Sequence, residues 1–312
     1  MSDQQPPSAL ATAIANNRRS ERATRVWLLA PALTIILAIS ILPLGITVVY
    51  SFLTPGTYGG VTWEFSTDSY VQFLFQRDIF DDTLVFNSAY VSIFLRSIGL
   101  ALGATIGALI LGFPTAYFIA SKPREQRNIW LFLITLPFWT NLLIRTYAML
   151  LIIRDEGIIN IMLMKAGIIS SPLTILYTDT AVFIGLIYSF LPFMVLPIYA
   201  SLEKLDFSLV EAGYDLYANR LKVLFHVIVP LAKPGIVAGC ILVFIPALGA
   251  YITPELLGGG KKLMIGNMIA MQFGASRNWP FGSAAALILM ALVIVVLLVN
   301  ALAARRGASN NG

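Results

Sequence analysis

The apolar residues of this chain gather in long blocks, and the polar and charged positions crowd into the intervals between them. A helix needs about 20 mostly apolar residues to cross hydrocarbon. Six stretches reach that length: Trp27–Leu53, Ile93–Ala120, Ile129–Ile153, Asp179–Leu202, Pro234–Leu256 and Gly282–Ala303. The pattern predicts an all-α integral membrane protein with six transmembrane helices. Pro31, Pro43, Pro114, Pro137, Pro192, Pro197 and Pro246 fall inside these stretches. Such prolines are tolerated at membrane depth where neighbouring groups satisfy the freed carbonyls, and they predict kinked packing.

Charge then orders the loops. Arg18, Arg19, Arg22 and Arg25 precede the first span; Lys122, Arg124 and Arg127 follow the second. Lys204, Arg220, Lys222 and Lys233 follow the fourth, and Arg305 and Arg306 follow the sixth. These sites hold the larger share of the 21 Lys and Arg, so the positive-inside rule puts both termini in the cytoplasm. The organisation expected is a cytoplasmic N-terminal tail over 1–26, a transmembrane domain over 27–303 and a cytoplasmic tail over 304–312. The first apolar run is too long for the core of a signal peptide and reads as an uncleaved helix. The outer loop, about 54–92, carries Glu64, Asp68, Asp78, Asp81 and Asp82 against Arg77. An acidic mouth concentrates cations; a solvated loop with no role fits the same residues.

Composition removes several classes of function. Apolar residues make up 58% and charged residues 12%. Adding the 23 Gly and removing the 12 Tyr gives about 61%, against roughly 45–50% for soluble domains counted that way. With a mean hydropathy of +0.80, a soluble enzyme, a disordered tail and a nucleic-acid module are excluded. The single Cys240 and single His226 leave no disulfide framework and no His/Cys metal cluster. They read as a packing residue and a loop residue.

The cytoplasmic segment over about 204–233 is the most informative. Ser208 followed by Glu211 forms a capping box that starts a helix near Leu209. Leu209, Ala212, Gly213 and Leu216 share one helical face with Tyr217 beside Gly213, and Asn219 marks a stop. A second helical run starts near Leu221 and ends before Pro230. The pair forms a compact knob, although an amphipathic connector lying on the membrane surface fits as well.

This segment resembles the cytoplasmic signature of permease subunits in ATP-binding-cassette importers: Glu-Ala-Ala, three residues, Gly, nine residues, Ile-x-Leu-Pro. Glu211 and Ala212 match, Gly213 replaces the second Ala, and Val227, Val229 and Pro230 complete the pattern. Tyr217 stands where the family has Gly, a departure that bears on the tightness of the helix–helix turn. The resemblance implies the type I importer permease fold in a bacterial inner membrane. Ser208, Glu211, Ala212, Gly213, Asp215, Tyr217 and Pro230 become residues that couple to an ATPase. It also implies a second homologous permease subunit, an ATPase subunit dimer and a periplasmic substrate-binding protein as partners, besides lipid. No cofactor is expected on this chain, ATP and Mg being held by the partner ATPase. In agreement, Gly258-Gly-Gly-Lys261-Lys262 lacks the upstream Gly and the Ser/Thr of a phosphate-binding loop.

Four further strings are similar to permeases of spermidine/putrescine importers, the first of the two such subunits: Leu136-Pro-Phe-Trp-Thr-Asn141, Leu191-Pro-Phe-Met194, Pro254-Glu-Leu-Leu-Gly-Gly259 and Asn278-Trp-Pro-Phe-Gly282. A path for a polycation calls for carboxylates and for aromatic faces against methylene stems. Glu255, with Tyr251 one turn before it, is the leading pair, joined by Trp139, Asn141, Tyr147, Asp179 and Tyr188. Glu255 lining a path and Glu255 paired with Arg145 are both open. Arg145 is expected to meet a carboxylate or to cap carbonyls at the Pro137 kink. Importers of another small solute, an amino-acid derivative or an anion, share similar strings. A lipid-directed membrane enzyme would need clustered aspartates or paired histidines, and a stand-alone transporter would need inverted repeats; neither is visible.

Overall fold

The computed structural model describes residues 9–77, 83–206, 208–260 and 262–309. The expected positions Asp78, Asp81, Asp82 and Lys261 lie outside the described residues. Helix α1 (Ala9–Ser51) begins well before the apolar run, so much of the arginine-rich segment continues the same helix as Trp27–Ser51. The segment after the first span is not plain coil. It holds β1 (Leu53–Pro55) and β2 (Val61–Phe65), paired antiparallel, then α2 (Asp68–Leu74), β3 (Phe75–Arg77) and β4 (Leu84–Phe86), again an antiparallel pair. Such open-edged strands are a departure from an all-α chain. They are compatible with a segment in water, where solvent satisfies the outer N–H and C=O groups.

Helix α3 (Ser88–Ala120) is one element that continues through Pro114. The expected third span is broken. Helix α4 (Arg124–Thr135) runs into a 3-10 turn at Leu136–Trp139, and α5 (Leu142–Ile153) leaves it at 92° before α6 (Ile158–Lys165). The cause is local. Pro137 lacks an N–H, and Asn141 accepts the Leu143 N–H at 2.8 Å as the N-cap of a new helix. Five helices among the described residues are long and apolar enough to cross a membrane, and this bent pair supplies a sixth span if it counts as one.

Helix α7 (Asp179–Leu202) forms the core with α3 and with α10 (Val229–Leu248). Between α7 and α10 lie α8 (Ser208–Asp215), α9 (Arg220–Val223) and a π turn at Leu224–Ile228. Gly235 and Gly239, spaced as a small-xxx-small pair, let α10 sit against the α7 backbone. A Cβ at Gly239 would stand 2.8 Å from Met194 Sδ, and one at Gly235 would stand 2.9 Å from Ile198 Cα.

The fifth span ends at Leu248 rather than at Leu256. Gly249 caps α10, and the chain turns into α11 (Ile252–Gly258) and then α12 (Ile265–Phe273). Helix α13 (Trp279–Ser309) closes the fold and packs along α1.

Candidate functional site: a helical knob and the α10–α11 corner

The knob is built by two caps. The acceptor at the start of α8 is Asp206, whose carboxylate takes the Ser208 N–H at 3.0 Å; it replaces the expected Ser208–Glu211 box. That N–H, with the Ser208 hydroxyl, holds the Asp206 carboxyl below the usual carboxylate range. At the other end, Tyr217 N–H donates to Tyr214 O at 2.9 Å and Ala218 N–H to Gly213 O at 3.1 Å. These are the two bonds of a Schellman motif, and Tyr217 takes the left-handed position with φ of 60°. The chain thus adopts at Tyr217 the backbone that a glycine adopts readily, and the tight turn survives the substitution. Asn219 does not stop α8. Its Oδ1 accepts the Lys222 N–H at 2.8 Å and starts α9.

The face that carries Leu209, Ala212 and Leu216 is exposed. Val210 and Val223 are buried, and Gly213 lets α8 approach Val223: a Cβ there would stand 3.2 Å from Val223 Cγ2. Leu209, Leu216, Tyr217, Leu221 and Phe225 are exposed, with Tyr217 at 98%. Glu211, Ala212 and Asp215 are exposed as well, and Glu211 lies in the first turn, where the helix dipole favours a carboxylate.

The second helix of the knob does not end before Pro230. Arg220–Leu248 is one continuous span. Val229 N–H reaches back five residues to Leu224 O, and this widened turn lies where the Pro230 ring would press on the carbonyl four residues earlier. His226 Nδ1 donates to Lys222 O at 3.1 Å inside the same turn. At about 1.5 Å per residue, the 29 residues of this rod carry the knob roughly 43 Å to the α10–α11 corner.

At that corner Tyr251 caps α11, and Glu255 N–H donates to Tyr251 O at 3.1 Å. The Glu255 carboxylate is exposed, and its Oε2 accepts from Asn267 Nδ2 at 2.6 Å. Its partner is therefore Asn267 of α12, not Arg145. Arg145 is 7% exposed; it donates to Pro137 O at 3.2 Å, capping the bend, with its guanidinium 5.9 Å from the Tyr188 ring centroid. Helices α5, α7 and α11 pack on one another, which brings together the elements bearing Tyr147, Tyr188, Tyr251 and Glu255. These four side chains are exposed.

The remaining expected residues lie elsewhere. Trp139 projects from the bend at 83% exposure, and Asn141 is engaged as the α5 cap. Asp179, at the start of α7, forms an ion pair with Arg96 of α3, and Arg96 also donates to Leu263 O at 3.0 Å. Arg96 and Asn267 were not among the residues expected at the site. The signal for both was a hydrogen-bonding side chain within an apolar run.

Residues 108–307 match the family described as binding-protein-dependent transport system inner membrane component. The spermidine/putrescine transport system permease protein PotB of Escherichia coli K12 is 42% identical over 249 residues, covering 80% of this chain and 86% of that protein. The PotB of Haemophilus influenzae is 48% identical over 214 residues, covering 68% and 75%. Among solved structures, a bacterial ABC transporter involved in the import of the acidic polysaccharide alginate aligns with a TM-score of 0.65 at 18% identity. It covers 93% of this chain and 99% of that one, a likeness of fold. A bacterial alginate transporter in complex with a pentasaccharide-bound periplasmic protein aligns at 0.59 and 17% identity, covering 89% and 94%. The broken third span, the knob and the five unbroken spans are thus those of a transport subunit and not of an enzyme: the chain belongs to the family of inner membrane components of binding-protein-dependent transport systems.

Proposed function

We propose that this chain is a permease subunit of an ATP-driven importer of putrescine and spermidine. The observation that carries the reading is the 42–48% identity to two PotB proteins over most of the chain. The chemistry of the α10–α11 corner supports it. An exposed carboxylate beside tyrosine faces suits a flexible polycation, whose ammonium ends need charge and whose methylene stem needs apolar contact.

In this reading both termini are cytoplasmic, and a periplasmic substrate-binding protein delivers the solute to the outer loops. A second homologous permease subunit completes the path. The exposed apolar knob, with Glu211 at its edge, seats in one subunit of an ATPase dimer. ATP and Mg act on that dimer. Its closure moves the knob, and the continuous Arg220–Leu248 rod carries the displacement to the corner that bears Tyr251 and Glu255.

The test is uptake of labelled putrescine and spermidine by cells that lack their own uptake systems. These cells express the chain with its partner subunits, as wild type or as Glu211→Arg. Uptake by the wild type that vanishes with the inserted variant is expected. Normal uptake by Glu211→Arg would remove the knob from the coupling mechanism, and no uptake by the wild type would remove polyamines as the substrate.

A further inference from the structure

We infer that Asn267 is a positioning residue for the carboxylate of Glu255 and so helps set the specificity of the path for primary ammonium groups. The inference rests on the polyamine reading above. Asn267 is 3% exposed and sits in a largely apolar α12. Among the described residues its amide nitrogen gives hydrogen bonds to Glu255 Oε2 of α11 at 2.6 Å and to the O of Tyr251, the N-cap of α11, at 3.2 Å. The first is charge-assisted and lies at the short end of its class. The other Glu255 oxygen receives no hydrogen bond from a described residue.

An exposed carboxylate is well served by water and gains little stability from a buried partner. The buried amide, in contrast, gives up water, and its Oδ1 remains without a partner. Joining α11 to α12 requires only the bond to the Tyr251 carbonyl. What the second bond adds is a fixed carboxylate, with one oxygen clamped and the other open at the corner, and with the half-exposed Tyr251 ring one turn away. A group held in this way loses less rotamer freedom when it binds. Its one open oxygen accepts an ammonium N–H, and the tyrosine face receives the adjoining methylene.

The test is a double-mutant cycle in proteoliposomes holding the complete complex and its binding protein, read as the initial rate of putrescine uptake. Glu255→Gln and Asn267→Leu should each lower the rate about tenfold, and the double variant should fall within about twofold of Glu255→Gln alone. A double variant lowered about a hundredfold would mean that the two act independently, and would overturn the inference. Asn267→Asp, with the volume of Asn, covers the case in which the Leu variant does not assemble. Alone it sets a carboxylate against Glu255; combined with Glu255→Gln it restores a donor to an acceptor, and uptake should exceed that of Asn267→Asp. Uptake no higher than the single variant would overturn the inference. A wild-type complex that moves neither putrescine nor spermidine overturns the polyamine reading and this inference together.

Discussion

Replacing Gly235 by alanine adds one methyl group where α10 meets α7. That Cβ would stand 2.5 Å from Ser201 Oγ, 2.9 Å from Ile198 Cα and closer still to the Pro197 carbonyl oxygen. Two of the three obstacles are backbone, so relief requires α10 to withdraw from α7. Overpacking of this kind costs roughly 1–3 kcal/mol. A better intrinsic helix former returns at most about 1 kcal/mol. The net loss is therefore up to about 2 kcal/mol, a factor of up to about 30 in the folded ratio. Gly239 supplies a graded comparison, because its nearest obstacle is the flexible Met194 Sδ at 2.8 Å, with backbone no nearer than 3.2 Å. Gly99 on α3 has nothing within 4 Å and serves as the control. Detergent-solubilised fluorescent fusions heated in steps, then sized by chromatography, give the midpoint at which the monodisperse peak is lost. The expected order of midpoints is Gly235→Ala lowest, Gly239→Ala next and Gly99→Ala at or above wild type. A Gly235→Ala protein as heat-resistant as wild type would refute the close α7–α10 contact.

Tyr217→Gly removes the strain of a left-handed tyrosine, which is worth about 1–2 kcal/mol, less part of that for the freer unfolded chain. Amide exchange at Ala218 should slow. Uptake should fall nonetheless if the exposed ring is part of the docking face, so the two readouts separate stability from coupling. Arg96→Met leaves both the Asp179 carboxylate and the Leu263 carbonyl without their donor, whereas Asp179→Asn leaves the Leu263 bond intact. The arginine variant should therefore lose more thermal stability, by about 1–2 kcal/mol after discounting for the partly exposed carboxylate; equal losses would contradict the bridging role. The Asp206 carboxyl is lowered in the folded chain, so its cap is fully present above the ordinary value of about 3.9 and is lost as pH falls through the lower folded value. Amide exchange at Ser208, relative to Ala218, should rise in that acid range, and Asp206→Asn should remove the dependence.

Much of the membrane architecture was legible because a span is set by length and apolarity, which a linear sequence displays. Its interruptions were less so. Pro137 was read as a kink, but the 92° break also needs Asn141 to start a fresh helix, and a capping side chain inside an apolar run is easily passed over. Pro230 misled in the opposite direction: it reads as a stop, yet a turn closed by the Val229–Leu224 bond lets the helix continue. At the knob, the choice of Asp206 over Ser208 as acceptor depends on the direction in which the chain arrives, which spacing does not encode. The Glu255–Asn267 bond joins two helices across a reversal. Sequence singled out Glu255 but not Asn267, and only the fold brings them together.

The pairing of α1 with α13 has a consequence for how the chain is made. The side chains described over Trp27–Ser51 are almost all exposed, and the helix meets the rest of the molecule chiefly along α13. Synthesis delivers the first member of this pair more than 200 residues before the second. During that interval α1 lacks the helix it packs against, and its largely apolar surface suits it to lipid. Helix α13 then closes a contact that α1 alone leaves open.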